Sequence, residues 1–212
     1  MSNLYAFGCS LTYGHGLPDC WIKKFRMPGD YPSKYAWPQL LADKLQRKCI
    51  NLSAPGESNK GILFTLQQNL KHISSEDTVY IKWSYDNRWG VINEDNNKIK
   101  HVKAGTKEYK IWLKMFYSQE DARWYTENCI DYATLLLNDK KIKHFHLTAV
   151  PDYPETLNCK YAKFLENGSI KPIRDVLPTA LDGTHPGKEA HAEFANVVYK
   201  ETLAITGEHN ET

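Results

Sequence analysis

The sequence predicts an α/β protein, a three-layer α/β/α sandwich around a mostly parallel sheet, with a β-hairpin inserted after the third strand. Three observations predict it. Short apolar runs closed by turn residues alternate with stretches of helical period, the pattern of βαβ units. The 212 residues suit one domain with a substantial core. With 42% apolar and 25% charged residues, the composition is that of an ordinary soluble globular chain.

Each element follows from local pattern. Leu4-Tyr5-Ala6-Phe7 is a buried strand stopped by Gly8. A polar loop with Pro and Gly runs from Thr12 to about Tyr35. Trp37-Pro38 opens an amphipathic helix carrying Leu40, Leu41 and Leu45. Cys49-Ile50-Asn51-Leu52 is the second strand, and Ser58 caps a helix through Ile62, Leu66 and Leu70. Thr78 to Ile81 is the third strand. Val91-Ile92, a polar turn at Glu94-Asp95-Asn96-Asn97, and Ile99 with Val102 read as the inserted hairpin, spanning about 89–105. One long helix is expected from about Ile111 to Asn138. His144 to Val150 is the fourth strand; the stretch from Asp152 to Leu177 is irregular, with Phe164-Leu165 its one apolar pair. The last helix begins near Pro186 and runs through Leu203. A single domain over 1–206 with a polar tail at 207–212 is the expected organisation, and the sheet is flavodoxin-like in plan.

Several function classes are excluded by arithmetic. Lys plus Arg is 27 and Asp plus Glu 25, a formal charge of +2, which gives no global electrostatic reason for nucleic acid or an anionic membrane as partner. No apolar run approaches the roughly 18 residues of a membrane span. The five cysteines contain no C-x-x-C pair, and neither a phosphate-binding G-x-x-x-x-G-K nor a dinucleotide-binding G-x-G-x-x-G occurs. His144 and His146 lie on one face of their strand, but spacing places no further metal ligand beside them, so they are expected to be hydrogen-bonded or solvated. No cofactor and no metal are expected.

Chemistry in such sheets gathers beyond the carboxyl ends of the strands. After the first strand stands Gly8-Cys9-Ser10-Leu11-Thr12, which aims a serine hydroxyl at the crevice. After the second stands Pro55-Gly56, whose unblocked N–H can approach a reacting group. Before the last helix stands Asp182-Gly183-Thr184-His185, a spacing that sets a carboxylate against one ring nitrogen and leaves the other free. Nucleophile, oxyanion donor and base thus fall on loops that the sheet brings together. His15 follows the serine closely enough to line the same pocket.

In order and spacing, these blocks resemble the SGNH or GDSL hydrolases over nearly the whole chain, with the Trp37-Pro38 helix and the Asn51–Asn59 loop similar to tailed-phage and bacterial members. The resemblance implies a serine esterase or deacetylase with Ser10 as nucleophile, His185 as base and Asp182 as its orienting acid. Ser10 and Gly56 would supply oxyanion N–H groups. Two departures stand out: Cys9 replaces the family's Asp, and Lys82-Trp83-Ser84-Tyr85-Asp86-Asn87-Arg88 replaces its Gly-x-Asn-Asp block. Asn59 and Asn87 are expected as substitute oxyanion donors, with Ser84 and Arg88 as further candidates. Trp83, Tyr85 and Arg88 are expected to bind substrate, with Trp21, Trp37 and Trp89 as additional aromatic surface, core packing being the alternative for each single aromatic, and Lys82 pairing with nearby acids. A small polar ester, such as an acetylated carbohydrate, is the implied substrate. The alternative is a catalytically weakened scaffold that binds a glycan or a protein. The N-terminus lacks a signal-peptide pattern, so a cytoplasmic location is expected, that of a bacterial host if the chain is phage-encoded.

Overall fold

A computed structural model describes residues 2–93, 98–102, 106–147, 162–164 and 179–207. Strand β1 (Asn3–Gly8) lies inside a parallel sheet, between β4 (Lys48–Asn51) and β5 (Thr78–Lys82). Beyond β5 come β8 (Lys143–Leu147) and β9 (Ala162–Phe164), giving the order β4-β1-β5-β8-β9 with every pairing parallel. Leu4 stands opposite both Cys49 and Thr78, and Val79 opposite His144.

Both faces of the sheet are covered, which explains why its central strands read as continuous apolar runs. Successive side chains point to opposite faces. Leu4, Ala6, Tyr80 and Phe145 meet one layer, built from α2 (Trp37–Lys44) and α6 (Lys188–Thr206) with Trp37, Leu41, Phe194 and Val198. Tyr5, Phe7, Val79 and Ile81 meet the other, built from α3 (Asn59–Asn69) and α5 (Gln119–Asp139) with Ile62, Leu66, Ile130 and Leu137. The α/β/α sandwich is therefore present. Pro38 sits in the first turn of α2, where no N–H is missed. The Ser58 hydroxyl accepts from Gly61 N–H at the start of α3, as its sequence position predicts.

Three sequence expectations are revised. The single long helix is two: α4 (Lys107–Met115), capped by Thr106, and α5, capped by Ser118. Ser118 is followed by Glu120 and Asp121, acids that favour the positive end of a new helix, so the chain breaks there. The loop after Thr12 is partly ordered: α1 (Ser10–Tyr13) opens it, and β2 (Trp21–Ile22) pairs with β3 (Met27–Pro28) as a small hairpin. A fifth strand, β9, comes from the stretch read as irregular. The inserted hairpin is β6 (Gly90–Asn93) against β7 (Lys98–His101), antiparallel as expected. His144 and His146 are fully buried, and α5 explains why: Thr134 reaches His146 Nε2 at 3.2 Å. The hairpin's tip at 94–97, its far end at 103–105, the end of the fourth strand at 148–150 and the tail from 208 lie outside the described residues. Among the described residues no helix is long and apolar enough to cross a membrane.

Candidate active site

The site begins where β1 runs out. Cys9 is extended and Ser10 starts a single helical turn, with the N–H groups of Thr12 and Tyr13 both donating to Cys9 C=O. Gly8 is required here because the Thr12 side chain occupies the space that a Cβ would take. The Ser10 carbonyl accepts from Gly14 and His15 N–H at 3.1 Å each, which curls the following loop back over the turn.

That loop receives the C-terminal segment. Leu181 N–H donates to Gly16 C=O at 2.9 Å, and Gly16, at φ 86°, lies so close to Asp182 that a side chain would meet its carboxylate. The His15 and His185 rings stack at 4.4 Å between centroids, 14° from parallel. Trp21 of β2 backs His15 from farther out, at 5.3 Å. The beginning and the far end of the chain thus meet through backbone hydrogen bonds and stacked imidazoles.

Asp182 and His185 form the pair that their spacing predicts. Asp182 Oδ2 lies 2.5 Å from His185 Nδ1 and accepts from the Thr184 hydroxyl at 2.8 Å, while Oδ1 accepts the backbone N–H groups of Thr184 and His185 at 3.1 Å. Burial alone raises a carboxyl pKa, but these four donors outweigh it and bring Asp182 down to about 2. Among the described residues, His185 Nε2 has no hydrogen-bond partner, so one ring nitrogen is held and the other is open. His15 Nε2 is 3.9 Å from the same carboxylate oxygen, and burial and then His185 lower the His15 pKa.

The depressed Asp182 pKa has a definite sign in the pH dependence of stability. A carboxylate at about 2 against an ordinary 3.8 stabilises the folded chain fully above the ordinary value, and loses that contribution as pH falls through the folded one. Thermal melts of the parent and Asp182→Asn should therefore differ at neutral pH and converge between about pH 4 and about pH 2. A gap unchanged across that window would refute this account.

The β4–α3 loop comes alongside the serine turn through one side chain. Asn51 Nδ2 donates to Thr12 C=O at 2.9 Å, and its Oδ1 accepts the Ser53 hydroxyl at 2.5 Å, while Ala54 N–H donates to Gly8 C=O. Pro55 and Gly56 then form a turn closed by Glu57 N–H on Ala54 C=O, with Gly56 at φ 79° and open space where a Cβ would point. Arg88 Nη1 reaches Glu57 C=O at 3.3 Å and its guanidinium stacks 5.4 Å over Tyr85. Tyr85 and Arg88, both half-buried, therefore flank the Gly56 turn.

Other expected site residues are placed elsewhere. Asn59 is not a free donor: its Oδ1 accepts Ser84 N–H at 2.7 Å and its Nδ2 donates to Ser84 C=O and Thr126 Oγ1. Both amide hydrogens are spent on tying α3 to the end of β5 and to α5, so the oxyanion role expected of it falls. Asn87 is exposed, its carbonyl accepting from Tyr109, and nothing draws its amide to the serine. Trp83 is not a substrate platform; it is fully buried, donating Nε1–H to His146 Nδ1 at 2.9 Å with the two rings nearly coplanar. Trp37 is likewise core, edge-on to Tyr80 and Phe194, and Trp89 stacks on Trp112. Lys82 is buried with its ammonium 5.1 Å over Phe194, and burial brings its pKa down to about 8. Sequence reasoning missed the Asn51 tie and His191, which is fully buried with Nδ1 accepting from Trp37 N–H at 3.2 Å; burial, then His185 and Lys82, bring its pKa down to about 3. Neither carries a local signal, since both partners lie far away in the chain.

His15, Asp182 and His185 also place three ligand-type atoms within 4.8 Å of one another. The nearly parallel rings direct their lone pairs side by side instead of converging, a poor match to the tetrahedral sites of zinc. The group suits hydrogen bonding better than metal ligation.

No family model and no curated protein matches the sequence. Solved structures do match in fold. A carbohydrate esterase family 2 enzyme with a carbohydrate-binding domain, from Corynascus thermopiles (Myceliophthora fergusii), shares 12% identity at a TM-score of 0.59, covering 97% of this chain and 67% of that one. TesA shares 14% at 0.59, covering 96% and 99%. A G-D-S-L-family protein from Desulfitobacterium hafniense shares 14% at 0.54, covering 95% and 99%. The chain thus spans about two thirds of the carbohydrate esterase and nearly all of the two smaller proteins. Its α/β/α fold is the one that these three proteins share.

Proposed function

We propose that the chain is a serine ester hydrolase of the SGNH type, removing a small acyl group, such as acetyl, from a carbohydrate or another small polar substrate. The observation that carries this reading is the Asp182–His185 pair, docked by its own loop onto the turn that Ser10 opens. His185 Nε2 takes the Ser10 proton as Oγ attacks the acyl carbon. Asp182 holds the ring through Nδ1 and stabilises the imidazolium. The tetrahedral oxyanion receives the N–H groups of Ser10 and Gly56, with the Arg88 guanidinium, held on Glu57 C=O beside the Gly56 turn, in place of the family's amide donor. His185 returns its proton to the leaving alcohol. It then activates water against the acyl-serine, which frees the acid and restores Ser10. The carbohydrate esterases that share the fold support a polar, acetylated substrate. A fluorophosphonate probe tests the reading directly: it should label the parent at Ser10 and leave His185→Ala unlabelled. An unlabelled parent favours instead a binding scaffold with weakened catalysis, which the altered block after β5 would also suit.

A further inference from the structure

We propose that the β2–β3 hairpin is a peripheral docking element for an anionic lipid surface. The even charge balance of the whole chain hides a local concentration. Between Cys20 and Gly29 there are three cations, Lys23, Lys24 and Arg26, and no acid. The acids at either side stand at the base, where Asp19 is occupied by the Ser33 hydroxyl and Lys34 N–H, and at Asp30. Apolar side chains alternate with the cations, and they are out in solvent: Ile22 is 38% exposed, Met27 48% and Phe25 62%. Ile22 and Met27 form a cross-strand pair, Phe25 stands at the tip, and all six residues from 22 to 27 are exposed.

The base, by contrast, is fixed. Cys20 is buried with its thiol on Gly14 C=O, Gly29 N–H donates to Cys20 C=O, and Tyr13 hydroxyl donates to Gly29 C=O. A rigid root therefore carries a protruding tip in which bulky apolar groups and long cationic chains are interleaved. In an interface, the apolar groups enter the acyl boundary while lysine and arginine stems reach up to the headgroups. A folded protein partner needs about 800 Å² on each side, more than an eight-residue hairpin offers, whereas a bilayer deforms around a small tip. Negative headgroups supply the complementary charge. Trp21 connects this root to the His15–His185 stack, so docking would hold the candidate site beside the surface.

The test is co-sedimentation of the full chain with vesicles of phosphatidylcholine alone or mixed equally with phosphatidylglycerol. The parent should sediment with the mixed vesicles and not with the neutral ones, and high salt should release it. Each cation lost should weaken binding about fivefold, so Lys23→Glu with Lys24→Glu should reduce it at least about 25-fold. Phe25→Ser should weaken it roughly tenfold through loss of the inserted ring. Ser10→Ala should bind as the parent does, which separates this surface from the hydrolase reading. Unchanged melting temperatures keep the tip variants interpretable; should one of them unfold, Lys23→Gln with Lys24→Gln replaces it. Failure of the parent to bind mixed vesicles overturns the proposal. So does full binding by Phe25→Ser combined with retention on heparin, which would mean a patch for any polyanion.

Discussion

Ser10→Ala should lower turnover of acetyl esters by roughly 10⁶, and His185→Ala should lower it by a similar factor. The two effects should not multiply in the double variant. A serine without its base and a base without its serine each lose the same proton-coupled attack, so the second deletion removes nothing further. Asp182→Asn should lose about 10⁴, because the carboxylate fixes the ring's tautomer and stabilises its charged form without touching substrate. Four hydrogen bonds position that carboxylate, so its replacement disturbs ring orientation as well as charge. Steady-state kinetics on p-nitrophenyl acetate checks all three, provided that thermal melts show folded protein. A Ser10→Ala variant as active as the parent would end the hydrolase reading. Cys9 offers no second route in the present fold, since it packs into the apolar cluster on the α2–α6 side of the sheet.

Trp83→Ala should cost about 3–5 kcal/mol of stability, measured by urea unfolding. The indole is fully buried in the layer between the sheet, α3 and α5, and it holds His146 through a 2.9 Å hydrogen bond with the two ring planes 3° from parallel. Its removal opens a cavity and takes away the indole donor to His146 Nδ1, in surroundings that already push that imidazole well below its ordinary pKa through burial and then His144. Trp83→Phe keeps most of the ring but loses the same hydrogen bond, so it should cost less, about 1–3 kcal/mol. The site that sequence reading assigned to Trp83 predicts the reverse: a raised KM with an unchanged unfolding midpoint. An unaltered midpoint in Trp83→Ala would restore the substrate role and contradict the packing.

These two cases also mark how far the sequence can be read. Leu4 to Phe7 and Thr78 to Ile81 are legible as central strands because both faces of a covered parallel sheet demand apolar side chains. Ser58 is legible as a cap, and the pairing of Asp182 with His185 is legible because three residues of loop close it locally. Trp83 and Asn59 are not legible. The polar groups that claim Asn59 stand 25 and 67 positions away, and the histidine that claims Trp83 stands 63 away. From the chain alone, a tryptophan after a strand reads equally as core or as platform, and an asparagine equally as bracket or as donor.

The sequence by itself therefore determined the layered fold, its first four parallel strands, and the local carboxylate–imidazole pair, all governed by period or short spacing. Tertiary structure decided which polar side chains remain open beside Ser10, that His15 stacks on His185, and that a cationic, apolar hairpin projects from the same root. The physical reason is that backbone pattern answers to burial, a property each segment carries with it. A side chain's availability depends instead on whether some distant donor, acceptor or ring has already engaged it.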